Sequence, residues 1–464
     1  MHALSTAGVG GRSAITLKLT SVESSRLCKL TVGHFKRAKL REMNLSSRAG
    51  PRVYFTVGTV AAVAAAGTAA AMFKKVMKPR VVAQPNTWND ALLALCPYFT
   101  KSYELPAILN NGHVETIFAA LFRRRPHILY NRELVHMPDG GVVALDSEDL
   151  TSSQQLPADA PVLILLPGLT GGSEDSYVQH AVVHAREAGI RAVVFNSRGT
   201  SASPVTTPQF YSASYTGDLR CVVAHVASQL PPGAPLYAAG WSLGANILTK
   251  YLGEEGAATP IKAAVTMCNP FNLPLSDANF KKGFNRIYDW NLARALRRIY
   301  SKHHSLFEEA ATDGGGKPFN PSLALNSKTI RDFDEAITAV SFDWPSVDDY
   351  YAGSSSSLSI PNVAIPLLVV QAEDDPIAPR NAIPFDAIKH NPNCTLVLTP
   401  TGGHLGWCSS SGEQGILGAP WTDRAVIEYF NAVRKLQIEP EVAKEAVVEA
   451  AGVYTMGSTT HQAP

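Results

Sequence analysis

Six short runs of consecutive apolar residues constrain the fold of this chain more than any other feature of its sequence. Patterns that are apolar at i and i+3 or i+4, as in DSYVQHAVVHAREAG and DLRCVVAHVASQL, predict helices between several of them. Strands that are apolar at every position are buried on both faces, so we predict a mostly parallel central sheet with helices on each side, an α/β fold. The runs are Pro161–Gly168, Arg191–Asn196, Leu236–Ser242, Lys262–Cys268, Ile365–Glu373 and Thr395–Pro400.

Two further segments extend this pattern. An alternating sequence around Asp139-Gly140-Gly141, within Arg132–Glu148, predicts a hairpin that adds antiparallel strands at a sheet edge. The fourth and fifth runs are separated by residues 269–364, a stretch too long for a simple crossover, and we interpret it as a cap inserted over the mouth of the sheet. The globular domain is expected to span residues 85–435, with a tail over residues 440–464.

Charge divides the chain into two unequal parts. Residues 1–80 hold 14 Lys and Arg but only 2 Asp and Glu, whereas the rest of the chain holds 27 and 37. An acidic body argues against nucleic acid as a partner, because neutralising phosphates requires a basic surface. The six cysteines are scattered and have no CxxC spacing, so they indicate neither a zinc site nor a disulfide framework.

Residues 53–73 form an uncharged stretch of 21 residues, long enough to cross a bilayer as a helix. Basic residues flank both of its ends, so we expect a single-pass membrane anchor, with the endoplasmic reticulum as the expected membrane. Residues 1–52 are basic and almost free of acidic side chains, which fits a cytosolic leader or, as the alternative, an organelle-targeting segment. An alanine-rich soluble helix is a further alternative for residues 53–73, since eight of them are alanine.

Ser242 stands between Gly240 and Gly244, at the point where the third apolar run becomes a helical pattern. A sharp turn from strand to helix strains the central residue and exposes its side chain at the carboxyl edge of the sheet. Larger residues two positions away on either side would collide with the neighbouring strand and helix. The stretch GWSLG therefore predicts a nucleophile elbow, and an ordinary serine in a glycine-rich turn is the alternative.

A serine hydroxyl becomes an effective nucleophile only when a base removes its proton and an acid orients that base. In the predicted architecture both partners follow the serine and lie at the ends of later strands. We predict His404, which follows two glycines, as the base. Asp375, which precedes a proline, is the predicted acid, and Asp374 and Glu373 are competing candidates.

The negative charge of a tetrahedral intermediate needs hydrogen-bond donors. One predicted donor is the backbone N–H of Leu243, directly after the nucleophile. The other is the N–H of Leu169, in the loop PGLTGGSEDS, for which a simple glycine-rich connection is the alternative. This chemistry requires no cofactor and no metal ion.

The chain resembles an α/β-hydrolase family that groups plant embryogenesis-associated proteins, animal membrane-anchored hydrolase-domain lipases and fungal medium-chain ethyl-ester synthases. The resemblance covers about residues 85–435. It implies the roles of nucleophile, acid and base for Ser242, Asp375 and His404, and activity on carboxylic esters of medium or long acyl chains, often glycerolipids. The basic leader before residue 53 departs from the family pattern. The motifs that carry the resemblance are NGHVETI, LPGLTGGSEDSYV, FNSRGTSASPVTTPQFYSASYTGDL, GWSLGANIL, FDEAITAVSFDWPSVDDYY, QAEDDPIAP and GGHLGW.

We therefore expect a serine hydrolase that cleaves lipid esters, such as acylglycerols or phospholipids, through an acyl-enzyme. An acyltransferase that passes the same acyl group to an alcohol is the first alternative. The second is a non-catalytic scaffold on a hydrolase fold, whose usual sign is a missing member of the triad.

Overall fold

The computed structural model describes residues 74–150, 155–312, 317–410 and 414–439. The predicted leader (residues 1–52), membrane span (residues 53–73) and tail (residues 440–464) lie outside the described residues. Within the described ranges, no helix has the length and apolar character needed to span a bilayer.

The strands among the described residues are β1 (Lys74–Met77), β2 (Arg80–Ala83), β3 (Tyr103–Pro106), β4 (Tyr130–His136), β5 (Val142–Glu148), β6 (Val162–Leu166), β7 (Arg191–Asn196), β8 (Leu236–Trp241), β9 (Ile261–Met267), β10 (Leu367–Ala372) and β11 (Cys394–Thr399). Nine of them form a central sheet in the order β2-β11-β10-β9-β8-β6-β7-β5-β4. The six strands from β11 to β7 run parallel to one another, and they match the six apolar runs of the sequence. The predicted mostly parallel sheet is thus confirmed.

The two edges of the sheet are antiparallel. The expected hairpin, β4 with β5, forms one edge, where β5 pairs antiparallel with β7. At the other edge β2 pairs antiparallel with β11. The sheet therefore begins upstream of residue 85, the predicted start of the domain. Strand β2 was not predicted, because a strand of four residues is too short to show a periodic pattern.

The α-helices among the described residues are α1 (Thr87–Leu95), α2 (Gly112–Phe122), α3 (Ser176–Glu187), α4 (Gly217–Ser228), α5 (Leu243–Glu255), α6 (Leu273–Phe280), α7 (Asn285–Tyr300), α8 (His304–Thr312), α9 (Pro321–Asn326), α10 (Ile330–Phe333), α11 (Ala339–Ser341), α12 (Val347–Ser354), α13 (Phe385–His390) and α14 (Trp421–Ile438). Helices cover both faces of the sheet because alternate strand residues point in opposite directions. Leu163 and Leu165 of β6 pack into one core with α1, α3 and α14, whereas Ile164 packs into a second core with α4, α5 and α13.

The segment between β9 and β10, here called the cap, consists of helices α6 to α12, with a π-helical turn at Asp334–Thr338. Its core contains Tyr300, Phe307 and Phe333, and it also takes in Phe210 from the loop after β7. The cap is therefore connected to the sheet domain in two ways. Its ends join β9 and β10, and its core packs against the loop that contains Phe210.

Candidate active site

Ser242 occupies a strained junction between β8 and α5, with φ 52° and ψ −118°. Such a sparsely populated backbone conformation with positive φ costs a residue other than glycine about 1–3 kcal/mol, so the surrounding packing must hold Ser242 there. A Cβ on Gly240 would lie 2.8 Å from the carbonyl carbon of Gly244, and a Cβ on Gly244 would lie 2.2 Å from the carbonyl oxygen of Leu166. Both clashes involve backbone, which explains why glycine occupies these two positions.

Ser242, His404 and Asp375 form one hydrogen-bonded chain. His404 Nε2 lies 2.9 Å from Ser242 Oγ, and its Nδ1 lies 2.9 Å from Asp375 Oδ2. In the neutral imidazole tautomer that has its proton on Nδ1, the Nδ1–H donates to the carboxylate and Nε2 accepts from the serine hydroxyl. All three residues are buried. This arrangement can remove the proton from Ser242 as it attacks an electrophile.

Asp375 is aimed by the turn that follows it. Its Oδ1 accepts hydrogen bonds from the backbone N–H groups of Ile377, at 2.8 Å, and Ala378, at 2.9 Å. These donors fix the carboxylate so that Oδ2 faces His404. The proline that begins this turn has no N–H of its own, so the donors come from the two residues after it.

The two competing acids point elsewhere. Asp374 Oδ1 accepts the backbone N–H of Gly403 at 3.0 Å, and burial raises the pKa of Asp374 to about 6. Glu373 lies at the surface, 3.3 Å from Arg380. Of the three acidic candidates, only Asp375 contacts His404 in the part of the chain that the structure describes.

Two unpaired backbone donors lie beside the nucleophile. Within the described residues, the N–H groups of Leu169 and Leu243 donate no hydrogen bond. Leu243 follows Ser242 directly, and the loop of Leu169 passes so close that a Cβ on Gly168 would lie 3.2 Å from Ser242 Cβ. Leu169 and Leu243 line the same cavity as Ser242. Two such donors can stabilise negative charge on an oxygen bound there.

Two tyrosines, the buried Tyr177 and the partly buried Tyr211, hold the loop that contains Leu169. The N–H of Gly168 donates to the hydroxyl of Tyr177 at 3.0 Å, and the N–H of Thr170 donates to that of Tyr211 at 2.9 Å. Burial raises the pKa of both tyrosines, so their hydroxyls stay protonated. The N–H groups on both sides of Leu169 are therefore occupied.

Helix α2 supports the histidine loop, a role that our sequence analysis missed. Thr116 Oγ1 accepts the N–H of His404 at 2.8 Å and donates to the carbonyl of Gly112 at 2.6 Å. The contact is close, since a Cβ on Gly112 would lie 1.9 Å from the carbonyl oxygen of Asp374. The available signal was the NGHVETI motif, which places Glu and Thr side by side in an apolar helix.

A buried carboxyl group on α2 holds the far end of the same loop. Glu115 Oε1 accepts the N–H of Cys408 at 2.7 Å, while Arg123 Nη1 donates to the carbonyl of Leu405 at 2.9 Å. Burial raises the pKa of Glu115 to about 8, and its Oε2 has no hydrogen-bond partner among the described residues. Glu115 therefore holds its proton at neutral pH.

A cavity of about 670 Å³ lies between the carboxyl edge of the sheet and the cap. Ser242 and His404 stand on its wall. This volume is within the range of small-molecule sites in proteins. Most of the rest of the wall is apolar or aromatic and includes Leu169, Phe210, Leu273, Phe280, Ile287, Leu296, Phe333 and Leu405.

Comparisons with known proteins agree with this architecture. The family model described as alpha/beta hydrolase fold matches residues 161–407. Embryogenesis-associated protein EMB8 of Picea glauca is 53% identical over 346 residues, which cover 73% of this chain and 74% of that protein. Phospholipase ABHD3 of Mus musculus is 36% identical over 71% of this chain and 79% of its own length.

A third relative is the medium-chain fatty acid ethyl ester synthase/esterase 2 of Saccharomyces cerevisiae. It is 26% identical over 76% of this chain and 88% of its own length. The three relatives fall in the three groups that the sequence motifs indicate.

The buried carboxyl of Glu115 gives a pH-dependent contribution to stability. Its pKa in the folded state is about 8, against an ordinary value of 4.5. The protonated carboxyl stabilises the folded state fully below pH 4.5. The free energy of unfolding then falls by about 1.4 kcal/mol per pH unit until the pH passes about 8, where this stabilisation is lost. We expect Glu115→Gln, which keeps the acceptor for Cys408, to remove this loss. Urea unfolding across that pH range measures the effect.

The control is Glu115→Ala, which removes the acceptor together with the carboxyl. It should be less stable than wild type throughout the pH range, because the N–H of Cys408 is left unpaired in the interior. Wild type and Glu115→Gln with parallel stability profiles would show that Glu115 is not the titrating group.

Proposed function

The chain belongs to the α/β-hydrolase fold family, and we propose that it is a serine hydrolase that cleaves carboxylic esters of medium- or long-chain acyl groups. The observation that carries the proposal is the hydrogen-bonded chain from Ser242 through His404 to Asp375. Its position beside two unpaired N–H groups, in a largely apolar cavity, supports acyl transfer as the chemistry.

The first half of the reaction forms an acyl-enzyme. Ser242 Oγ attacks the ester carbonyl carbon while His404 Nε2 takes the serine proton. Asp375 stabilises the imidazolium that forms, and the N–H groups of Leu169 and Leu243 bind the oxyanion. The intermediate collapses when His404 returns the proton to the leaving alcohol oxygen, and the acyl group stays on Ser242.

The second half releases the acid. A water molecule gives a proton to His404 and attacks the acyl carbon, which regenerates the same oxyanion beside Leu169 and Leu243. His404 then protonates Ser242 Oγ as the fatty acid leaves. Every proton moves between Nε2 and a reacting oxygen, so Asp375 keeps its charge throughout.

The cavity supports a lipid ester as the substrate. Apolar and aromatic side chains from the cap, such as Phe280, Leu296 and Phe333, form much of its wall, and an acyl chain would bury its surface against them. One relative is named a phospholipase and another a medium-chain fatty acid ethyl ester synthase/esterase, and both names refer to lipid substrates.

Acyl transfer to an alcohol is the second candidate, because the same acyl-enzyme serves both reactions. The observation that favours it is the name of the yeast relative, which joins an ethyl ester synthase with an esterase. The two reactions differ only in whether water or an alcohol reaches the acyl carbon.

Labelling with a fluorophosphonate tests the proposed nucleophile. We expect wild-type protein to be labelled and Ser242→Ala to remain unlabelled, because the probe reacts with a serine whose proton has a base to accept it. Hydrolysis of a medium-chain p-nitrophenyl ester should fall by ~10⁴-fold or more in the same variant. Wild-type protein that is folded yet stays unlabelled, with and without detergent micelles, would favour the non-catalytic scaffold.

The adjacent carboxylates provide a matched pair for the role of the acid. Asp375→Asn should lower kcat by ~10⁴-fold, because an amide cannot hold the required imidazole tautomer. Asp374→Asn keeps an oxygen to accept the N–H of Gly403, so it should lose less than about tenfold. Equal losses in the two variants, both folded by circular dichroism, would contradict the assignment of Asp375.

Product analysis separates hydrolysis from transfer. With an acylglycerol substrate and added ethanol, we expect free fatty acid as the main product, since water competes for the acyl-enzyme. Mass spectrometry of the products from wild type and Ser242→Ala gives the ratio of acid to ethyl ester. Ethyl ester as the main Ser242-dependent product would replace the hydrolase with an acyltransferase.

We propose that residues 53–73 anchor the chain in a membrane, with the endoplasmic reticulum as the expected compartment and organelle targeting as the alternative. The support is the 21-residue uncharged length between basic flanks. We expect the full chain to remain in the membrane pellet after alkaline carbonate. The control, Ala62→Glu with Ala66→Glu, should be extracted, because each charge in the centre of a span costs about 3 kcal/mol. Extraction of the wild-type chain would refute the anchor.

A further inference from the structure

Five large apolar side chains near the catalytic cavity are exposed to solvent. In fractional exposure, Leu121 reaches 69%, Phe122 57%, Phe284 46%, Ile287 51% and Trp290 47%. We call these five residues the rim. Single exposed apolar residues are ordinary on a protein surface, whereas a contiguous group marks a surface that binds something.

Ring contacts join the two helices that contribute the rim. The ring of His113, at the start of α2, stacks on that of Tyr288 in α7 at 5.7 Å with an interplanar angle of 4°. It also meets the ring of Phe284 edge-on at 5.1 Å. Helix α2 belongs to the sheet domain and α7 to the cap, so the rim crosses the boundary between the two.

The rim borders an opening of the catalytic cavity. Leu121 and Ile287 are exposed, yet both also line the cavity that contains Ser242 and His404. A side chain that faces both solvent and the cavity interior must lie where the two meet. Phe122 and Trp290 lie outside the cavity wall, but each directly adjoins in sequence a residue that lines it, Leu121 and Asn291.

Exposed basic side chains accompany the rim. On α7 these are Arg286, Arg294 and Arg298, and the guanidinium of Arg294 lies 5.6 Å from the ring centre of Trp290. The acidic side chain of the same helix, Asp289, is buried. Arg124 and Arg125, two and three residues after Phe122, are exposed as well, whereas Arg123 between them and Phe122 is buried. This positive region contrasts with residues 81–464 as a whole, whose net charge is −10.

We propose that the rim docks onto the surface of a phospholipid bilayer that contains anionic lipids. Trp290 and Phe122 enter the interfacial layer, where aromatic side chains are favoured, and the arginines bind lipid phosphates. We favour a bilayer over a protein partner because the apolar side chains and the cations surround the opening of the cavity in which we propose that lipid esters bind. This orientation places the cavity opening against the membrane, so an acyl chain moves from bilayer to catalytic serine without crossing water.

The inference rests on the proposed function, because docking would serve to deliver a lipid substrate. The test of docking does not require catalysis. Full-length Ser242→Ala protein is reconstituted with vesicles of phosphatidylcholine and phosphatidylserine, which it cannot consume. An environment-sensitive fluorophore is attached at Phe122→Cys or Trp290→Cys, and in controls at Leu134→Cys or Leu358→Cys, which are exposed apolar positions outside the rim and the cavity wall. Cys28 and Cys221 are replaced by serine, because the other four cysteines are buried.

Lipids that carry a quencher in the bilayer report insertion. We expect strong quenching of the two rim labels and little quenching of the two controls. Equal quenching at all four positions, or none at the rim, would overturn the proposal. A rim label that is shielded from aqueous iodide but not quenched by lipid would also overturn it, because a segment of the chain itself, such as residues 53–73, would then cover the rim.

Charge removal tests the anionic lipid. Arg294→Gln with Arg298→Gln should lower the ratio of docked to undocked rim roughly fivefold for each charge lost. Arg434→Gln, an exposed arginine of α14, is the matched control and should change nothing. Rim quenching that is equally strong in pure phosphatidylcholine vesicles would rule out anionic lipid as the partner.

A failure of this proposal is distinguishable from a failure of the proposed function. Fluorophosphonate labelling reports only on Ser242, and the quenching experiment is performed on Ser242→Ala. Phe122→Ser and Trp290→Ser should keep wild-type turnover of a soluble short-chain ester but lose activity on vesicle lipid. Loss on both substrates would place these residues in catalysis or folding and contradict a docking role.

Discussion

The rest of the site depends on one strained turn. Ser242 adopts a strained backbone conformation with a positive φ angle. Gly240 and Gly244 make this turn possible, because they let β8, α5 and the end of β6 approach each other closely. The same turn places both Ser242 and Leu243 on the wall of the cavity. The proposed nucleophile and one of the proposed oxyanion donors therefore depend on a single backbone geometry.

The histidine is held from outside the sheet. Although His404 follows β11, its backbone is fixed by Thr116 of α2. The loop beyond it is fixed by Glu115 of α2 and by Arg123, the residue directly after that helix. A loop rich in glycine has many conformations available, so these contacts select the one in which the imidazole reaches Ser242. The polar residues of α2 position the proposed triad without touching the reacting atoms, and they link this helix to the loop after the last strand.

Local patterns predicted the parts of the molecule that depend on local physics. Continuous apolar runs gave the parallel strands, and small residues around Ser242 gave the elbow, because both follow from neighbours in sequence. Asp375 was predicted as the acid with Asp374 as a competing candidate, since spacing alone cannot tell which carboxylate receives the amides after Pro376. The roles of Thr116 and Glu115 were missed because their partners lie almost 300 residues away. Strand β2 was too short for its pairing with β11 to leave a periodic signal.

The aromatic core of the cap has a mechanical consequence for the oxyanion loop. Phe210 packs among Tyr300 and Phe307 of the cap, and its neighbour Tyr211 accepts the N–H of Thr170, next to Leu169. Lifting the cap would pull on Phe210 and so on the hydroxyl that positions this loop. The cap thus covers the cavity and, through Phe210 and Tyr211, also bears mechanically on the loop of Leu169, a proposed oxyanion donor.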